Sequence, residues 1–340
     1  MQKIIRQIAG EIAASDQQVA ATVALLDDGA SVPFIARYRK ERTGGLDDAQ
    51  LRRLEERLLY LRELENRRQT VLDSIASQGK LNASLQRDIL AAETKTRLED
   101  LYLPYRPKRR SKAQIAREAG LEPLAMTLLR RPDRDPETAA ADYVDADRQV
   151  PDSKAALEGA RYILMEHFSE DAELVGQLRQ YLWQHGILRS TLVAGKEGKA
   201  EKFADYHDYA EPINKIPSHR ALALFRGRGE GLLQLELQVD QDAAGMTPSE
   251  TAIARRFGIA DKGRAADEWL QQCVRWAWKV KIFTHLDLEL KMRLRESAEQ
   301  EAIRVFGNNL KDLLLAPPAG NLHIMGLDPG LRTGVKVAVV

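Results

Sequence analysis

The spacing of apolar residues predicts that the first half of the chain is helical. Between residues 47 and 79, leucines recur every three or four positions among residues of high helix propensity. They are Leu51, Leu54, Leu58 and Leu61. Asp47 and Gln50 are spaced as a capping box, and Gly79 is a typical helix end. The pattern predicts one helix about 45 Å long.

A second helical region is predicted in the last third of the chain. Thr247 is placed as an N-cap, with Pro248 in the first turn, Glu250 completing a capping box, and Gly258 at the end. A longer helix is expected to follow, over residues 264–306. Its apolar stripe, expected to face a core, consists of Trp269, Cys273, Trp276 and Val280.

Strand-like patterns lie between these helical regions. Residues 190–195 and 232–240 have strand-like sequences, and in the second segment apolar and polar positions alternate. The alternating residues are Leu233, Leu235, Leu237 and Val239. We therefore predict a mainly α, multi-helical fold with a small β element near residues 190–240.

The last residues predict a β-hairpin. Two apolar runs, residues 322–327 and 335–340, flank a turn that contains Pro329, Gly330 and Gly334. An isolated hairpin is marginal in water, because one apolar face has nothing to pack against. We therefore expect that this segment begins a further domain, and that the hairpin is not stable alone.

Composition is typical of a globular protein, with 44% hydrophobic and 30% charged residues. No apolar run approaches the about 20 residues of a membrane helix, and the N-terminal segment is amphipathic, unlike a signal peptide. The one cysteine, Cys273, is unable to form an internal disulfide, which fits a reducing compartment. These features predict a cytoplasmic protein that does not contact membranes.

The formal net charge of +1 conceals local concentrations of charge. Residues 105–117 contain six Lys or Arg and no acid, whereas residues 132–152 contain seven Asp or Glu and two Arg. The cations of the first segment fall mainly in one loop, which we call the basic loop. They are Arg106, Lys108, Arg109, Arg110 and Lys112.

The basic loop precedes a short amphipathic helix and a turn at Gly120. This layout is typical of helix-turn-helix units, in which basic residues hold phosphates and one helix enters a groove. The alternatives are a solvated loop or a protein-docking surface. Tyr102 and Tyr105 are the aromatic residues near the loop in sequence, so we expect limited base stacking.

A second basic block, "VPFIARYRKERTGG", has two interpretations. Its cations, Arg37, Arg39, Lys40 and Arg42, lie between an apolar anchor and a Gly-Gly turn, and Glu41 partly neutralises them. Structural ion pairs and phosphate binding both fit this block.

Two further segments resemble ligand sites only superficially. "FRGRGEG" lacks the spacing of a phosphate-binding loop and is interpreted as a turn into a strand. His207 lies between Asp205 and Asp208, but no metal-binding spacing supports it. We predict neither a metal nor a cofactor.

Asp328 ends the first predicted strand of the hairpin. Polynucleotidyl transferases hold divalent metal at such a position, but the reaction needs several carboxylates around two ions. Because this hairpin provides one, we do not expect catalysis.

Four blocks of the sequence together resemble the N-terminal part of the Tex family of bacterial transcription accessory proteins. They are "SVPFIARYRKERTGGLD", "LEDLYLPYRPKRRSKAQIAREAGLEPLA", "KFADYHDYAEPINKIPSHRALALFRGRGEGLL" and "GLDPGLRTGVKVAVV". The resemblance implies a helical region with helix-turn-helix-like elements, followed by an RNase H-like domain of the YqgF type. It also implies helix-hairpin-helix and OB-fold domains in complete members, and RNA and DNA binding without demonstrated nuclease activity.

The resemblance implies three regions: a helical domain over residues 1–188, a mixed and then helical region over 189–320, and the start of the RNase H-like domain over 321–340. Asp328 then matches a catalytic position of that domain that is vestigial. We predict a non-enzymatic protein that binds RNA or DNA without sequence specificity through the basic loop. The first alternative is a helical scaffold that docks onto RNA polymerase or the ribosome, and the second is a nuclease that acts through Asp328.

Overall fold

A computed structural model describes residues 1–106, 110–240, 245–317, 320–330 and 334–340. Helices dominate it, which confirms the predicted mainly α class. The first helices are α1 (Gln2–Ile12), α2 (Asp16–Asp27), α3 (Val32–Tyr38), α4 (Asp48–Ser77), α5 (Ala83–Ala91) and α6 (Lys95–Tyr102).

Helix α4 is the long helix predicted from the leucine spacing. The Asp47 side chain accepts from the Gln50 backbone N–H, and the Gln50 side chain accepts from the Asp47 N–H, so the predicted capping box is confirmed. The four spaced leucines are buried and join a core with residues such as Ile8, Val19 and Ile35 from the first three helices. Burial of this apolar stripe, rather than helix propensity alone, stabilises so long a helix.

The next helices surround a central one. They are α7 (Lys112–Glu118), α8 (Glu122–Arg130), α9 (Pro136–Ala141), α10 (Ser153–Ser169) and α11 (Ala172–His185). Helices α7, α8 and α9 all pack on α10. Its inward side chains, among them Ile163, Leu164 and Phe168, are fully buried, which makes α10 the centre of a second core.

The chain divides into two compact units. The first comprises Met1–Gln180 and Asp242–His285, and the second comprises Tyr181–Gln241 and Leu286–Val340. The boundaries at residues 188 and 320, which were expected from the sequence, remain predictions.

A three-stranded antiparallel sheet lies in the second unit, with β1 (Ile187–Leu192), β2 (Asp208–Pro212), α12 (Ser218–Gly229) and β3 (Leu233–Gln238) following in sequence. The strand order is β2-β1-β3, and Ser190 pairs with Tyr209 on one side and Leu235 on the other. Alternating burial along β3 confirms the predicted pattern. Strand β2 escaped sequence analysis because its residues, Asp-Tyr-Ala-Glu-Pro, do not alternate clearly.

The glycine-rich segment "FRGRGEG" and the segment around His207 lie beside this sheet. Gly229 ends α12, and Gly231, at φ +67°, turns the chain into β3, as the glycine-rich segment predicts. His207 Nε2 donates to the Ala200 carbonyl oxygen at 3.0 Å, and Arg189 pairs with Asp208 at 2.9 Å. The side chains of His207 and Asp208 therefore both have partners within the protein.

The later helices are α13 (Pro248–Arg256), α14 (Asp267–Trp276) and α15 (Phe283–Leu314), and a π-helical segment, Ala277–Ile282, joins the last two. The predicted capping box of Thr247 and Glu250 is confirmed. In the part of the chain that the structure describes, no helix has the length and apolarity needed to cross a membrane.

The predicted apolar stripe of this region is wrong in part. Cys273 is fully buried, and burial raises the pKa of its thiol. However, Trp276 and Val280 are exposed, at 46% and 50%, whereas Trp278 is buried. Trp276 belongs to the last turn of α14, whose buried face includes Leu270, Cys273 and Val274. The π segment begins after Trp276, and its wider turn brings Trp278 rather than Val280 to the core.

The C-terminal strands are β4 (Met325–Pro329) and β5 (Val335–Val339), which pair antiparallel. This confirms the predicted hairpin as a local structure. Every residue of both strands is exposed, so nothing among the described residues covers either face.

Candidate nucleic-acid interface

The basic loop leads from α6 into α7 within the first unit. A 3-10 turn, Leu103–Tyr105, precedes it and is held by Gln78, whose Nε2 donates to the Tyr105 carbonyl oxygen at 2.8 Å. Arg106 is exposed and extended, at φ −63° and ψ 129°, as residues before proline usually are. Lys108 and Arg109 lie outside the described residues.

The start of α7 is fixed by a cap and by close packing. Ser111 Oγ accepts from the Gln114 backbone N–H at 3.1 Å. Helix α7 approaches α10 closely because Gly159 has no side chain: a Cβ there would collide with Leu121 Cδ1 and lie 3.2 Å from Ala116 Cβ. The charged residues around Ser111 therefore project from a fixed base.

Arg110, which precedes α7, is paired with Glu118, the last residue of that helix. Its guanidinium donates to Glu118 Oε2 through Nη2 at 2.7 Å and Nε at 3.0 Å, and this hydrogen bonding lowers the pKa of Glu118. Both side chains are exposed, so the pair contributes little to folding stability. A phosphate is therefore able to compete with Glu118 for the guanidinium at small energetic cost.

Lys112 lies over an aromatic ring from α10. Its Nζ donates to the Tyr162 hydroxyl oxygen at 3.0 Å and lies 4.8 Å from the ring centroid. The Tyr162 hydroxyl in turn donates to Glu158 Oε1 at 2.7 Å. The hydrogen bond with Tyr162 raises the pKa of Lys112, so this lysine is cationic at neutral pH.

A tryptophan completes an aromatic wall beside Lys112. The Arg161 guanidinium carbon lies 4.9 Å from the Trp276 ring centroid. Trp276, Tyr162, Lys112 and Lys281 line one cavity of about 320 Å³. Cations and aromatic rings, the two groups that hold phosphates and bases, are thus brought together at the start of α7.

The expectation of limited stacking was based only on the aromatic residues near the loop in sequence, and it remains a prediction. Tyr102, one of the two aromatic residues near the loop in sequence, is buried at 6% exposure and its hydroxyl is hydrogen-bonded to Ser74. The rings that accompany the loop instead come from α10 and α14. No local signal in the sequence reveals Tyr162, Trp276 or Lys281, because long-range helix packing places them there.

A larger cavity of about 660 Å³ lies on the other side of Ser111, and Arg106 and Arg117 help to line it. Glu166, only 3% exposed, forms part of its wall. This carboxylate accepts from Ser111 Oγ at 3.3 Å, pairs with Arg117, and lies 3.6 Å from Lys281 Nζ. Glu166 therefore fixes the positions of cations that border both cavities.

Asp328 has no comparable surroundings. It is exposed on β4, and the Lys336 ammonium lies 4.0 Å from its carboxylate. Within the described ranges, no three His, Cys, Asp or Glu side chains are grouped to hold a metal ion.

Comparison with known proteins places the chain in a family. The profile described as "Tex-like protein N-terminal domain" matches residues 2–76, and the profile "Tex central region-like" matches residues 131–306. The first match covers α1 to α4, and the second extends from before α9 into α15.

Individual relatives agree with the profiles. Protein YhgF of Escherichia coli is 58% identical over 338 residues, 98% of this chain and 44% of the relative. The transcriptional accessory protein Tex of Neisseria gonorrhoeae is 55% identical over 340 residues, 99% of this chain and 44% of its own. The human S1 RNA-binding domain-containing protein 1 is 28% identical over 348 residues, 94% of this chain and 32% of its own.

The chain spans less than half the length of these relatives. The match to the central-region profile nevertheless extends over more than half of the chain, and the bacterial identities extend over almost all of it. The chain belongs to the Tex family.

Proposed function

We propose that this protein is a cytoplasmic transcription accessory factor that binds RNA or DNA without sequence specificity at the start of α7. The observation that carries the proposal is the cavity in which Lys112 and Lys281 lie beside Tyr162 and Trp276. The names of two relatives support it: one is a transcriptional accessory protein, and the other an S1 RNA-binding domain-containing protein.

The chemistry of binding follows from the side chains. Arg106, Arg110 and Lys112, joined by Lys108 and Arg109 of the same loop, neutralise phosphates and release condensed counterions, which makes affinity fall with salt. Trp276 provides an exposed face on which a base stacks whatever its identity. Neither interaction distinguishes one base sequence from another.

Helices α7 and α8 form the proposed helix-turn-helix-like unit. They are separated by Ala119, Gly120 and Leu121, and the Leu121 N–H donates to the Ala116 carbonyl oxygen at 3.0 Å. Gly120, at φ +84°, allows the tight turn. In this proposal the pair orients the basic loop against the phosphate backbone.

The C-terminal hairpin is the proposed beginning of an RNase H-like domain of the YqgF type. We do not assign catalysis to Asp328, because the charged group beside its carboxylate is the Lys336 ammonium and not a second carboxylate. Relatives named as accessory proteins agree with a non-enzymatic role.

A second candidate function is a helical scaffold that docks onto RNA polymerase or the ribosome. It is favoured by apolar side chains on the same surface: Ile115 and Val280 are 39% and 50% exposed, and each borders a cavity that Lys112 also lines. Binding of a protein partner through these residues would survive charge reversal in the basic loop.

Fluorescence anisotropy of labelled single-stranded RNA and duplex DNA over a salt series tests the first proposal. The test variant carries Lys108→Glu, Arg109→Glu and Arg110→Glu. The matched control carries Arg87→Glu, Arg130→Glu and Arg134→Glu, three exposed arginines of the same unit outside the loop. The loop variant is expected to lose at least about tenfold in affinity and to show a smaller salt slope.

The control variant is expected to retain most of the affinity. Equal losses of affinity in the loop variant and the control variant would show that only the net charge of the protein matters. That result would overturn the assignment of binding to the basic loop. No binding by the unmodified protein at low salt would overturn nucleic-acid binding by this chain and favour the scaffold.

A further inference from the structure

Helix α3 and the turn after it carry a second basic surface, which the proposed function does not use. Between Phe34 and Arg42 the chain has four cations and one acid. We call this surface the α3 patch, which consists of Phe34, Arg37, Tyr38, Arg39, Lys40 and Arg42.

Two exposed aromatic rings lie among these cations. Phe34 and Tyr38 are 40% and 56% exposed, one helical turn apart, with ring centroids separated by 5.3 Å. The Arg39 guanidinium carbon lies 5.2 Å from the Phe34 ring centroid, and that of Arg37 lies 6.0 Å from the Tyr38 centroid. Rings and guanidinium groups thus form one continuous π surface open to solvent.

The opposite side of α3 is buried, which fixes the direction of this surface. Val32 and Ile35 are 3% and 0% exposed, and both belong to the N-terminal core. A helix of seven residues anchored on one side therefore presents its aromatic side chains outward.

The turn after α3 is also held in one shape. Thr43 is fully buried, and its hydroxyl donates to the Lys40 carbonyl oxygen at 3.1 Å. The Gly44 carbonyl accepts from Gln18 Nε2 at 2.8 Å. At φ +62°, with a Cβ that would lie 2.9 Å from Gln18 Cγ, position 44 requires glycine. Lys40 and Arg42 thus start from a fixed backbone.

The cations of the patch are not neutralised by ion pairs. In the described ranges, no carboxylate forms a salt bridge with Arg37, Lys40 or Arg42, and Arg39 donates from Nη1 to the Tyr38 carbonyl oxygen at 2.9 Å. Of the two interpretations that the sequence allowed, structural ion pairs therefore lack partners. Phosphate binding is favoured by such uncompensated charge, because no ion pair has to be broken.

We propose that the α3 patch binds single-stranded nucleic acid by stacking unpaired bases on Phe34 and Tyr38 while Arg37, Lys40 and Arg42 contact the phosphates. This proposal rests on the proposed function only for the class of ligand, nucleic acid. The α3 patch shares no residue with the site at the start of α7. Stacking requires bases outside a duplex, whereas phosphate contacts alone do not. The patch would therefore strengthen the preference of the protein for single strands.

The test compares four labelled oligonucleotides by fluorescence anisotropy at low salt: oligo(dT), oligo(U), an abasic strand of the same length, and a duplex, each of about 12 nucleotides or base pairs. The abasic strand keeps the phosphates and removes the stacking groups. The variants are Tyr38→Ala, Phe34→Ala with Tyr38→Ala, and Arg37→Glu with Lys40→Glu and Arg42→Glu. Leu59→Ala is the control, since Leu59 is an equally exposed apolar residue on α4.

The aromatic variants are expected to bind oligo(dT) and oligo(U) about tenfold more weakly, with abasic-strand and duplex binding unchanged. The charge variant is expected to weaken binding to the abasic strand as well. The single variant Tyr38→Ala is included in case the double variant fails to fold. Tyr38 is more exposed than Phe34, and its removal leaves the buried side of α3 intact.

Each other outcome is decisive. Unchanged binding of oligo(dT) and oligo(U) by both aromatic variants would overturn the α3 patch while leaving the basic loop untouched. Equal losses on the base-containing and abasic strands would show a purely electrostatic surface and overturn stacking. Failure of the unmodified protein to bind any of the four would reject both proposals.

Discussion

Asp267 is a buried carboxylate whose partners are all local. It accepts from the backbone N–H groups of Lys262 and Arg264, at 2.8 and 3.0 Å, and from Arg264 Nε at 2.9 Å. The Arg264 hydrogen bond, opposed by burial and reinforced by the two backbone donors, lowers the pKa of Asp267 from its ordinary 3.8 to about 2. This residue orders the loop before α14, the helix that ends at Trp276.

The depressed pKa predicts a pH dependence of stability. Because the folded pKa lies below the unfolded one, ionised Asp267 stabilises the fold fully at neutral pH, and this contribution disappears as pH falls from about 4 to about 2. Asp267→Asn should therefore lower the urea midpoint at pH 7 and show a smaller further decrease on acidification than the unmodified protein.

Urea unfolding followed by circular dichroism at several pH values measures this difference. Glu268→Gln, one position along α14 and exposed, is the control and should titrate like the unmodified protein. An identical acid dependence in Asp267→Asn and the unmodified protein would show that the carboxylate is not involved.

The cations of the basic loop show how much a charge pattern in the sequence predicts about individual residues. The cations Arg106, Arg110 and Lys112 were identified from their spacing alone. Their partners were not identified, and that of Lys112, Tyr162, comes from a helix about fifty residues later in the chain. A local charge pattern thus predicts where a cation lies but not what neutralises or accompanies it.

Among the elements, the contact of α7 with α10 determines the geometry of the candidate interface. Gly159→Ala would place a methyl group against Leu121 and Ala116, both of which are buried. We expect a loss of about 1–3 kcal/mol in the free energy of unfolding, because a tightly packed contact has to open. Weaker nucleic-acid binding should accompany it, as α7 moves away from Tyr162.

Gly176→Ala on α11 is the matched control. Apart from its chain neighbours and the backbone of its own helix, no described atom lies within 4 Å of the Cβ it would add, so this substitution should stabilise the helix by about 0.5–1 kcal/mol. Chemical denaturation of the two variants provides the comparison, and a destabilisation by Gly176→Ala equal to that of Gly159→Ala would contradict the packing argument.

The π segment shows where helix periodicity fails after Trp276. The prediction assumed a constant 3.6 residues per turn from residue 264 onward; Cys273 is buried as predicted, whereas Trp269 is half-buried and Trp276 is exposed. The wider turn of Ala277–Ile282 breaks that period, so Trp278 and Ile282 become buried while Val280 faces solvent. Such segments are frequent at functional sites, and here it adjoins the candidate interface.

At the scale of the whole molecule, the hairpin β4–β5 differs from the other elements. None of its strand residues is buried, whereas α10 is surrounded by other helices. We expect the backbone amides of Met325–Pro329 and Val335–Val339 to exchange rapidly with solvent, since local opening exposes no apolar surface that is not already exposed.

Hydrogen–deuterium exchange read by mass spectrometry tests this expectation on the chain as it stands. The amides of α10, particularly around Ile163 and Leu164, are the internal reference and should be protected until global unfolding. Protection of the hairpin equal to that of α10 in the monomer would contradict the prediction.

The sequence by itself determined the class of fold, the long helix α4 with its capping box, the strand β3 and the local hairpin. Each depends on interactions between residues close in the chain, which periodicity and capping residues report directly. It also identified the basic loop and the Tex family resemblance that the comparisons confirmed.

Only the tertiary structure decided which side chains surround the cations of the basic loop. Tyr162, Trp276 and Lys281 reach the start of α7 through helix packing. The same holds for the α3 patch, whose cations proved to lack ion-pair partners among the described residues. Such neighbours are set by contacts between distant segments, and local sequence patterns carry no record of those contacts.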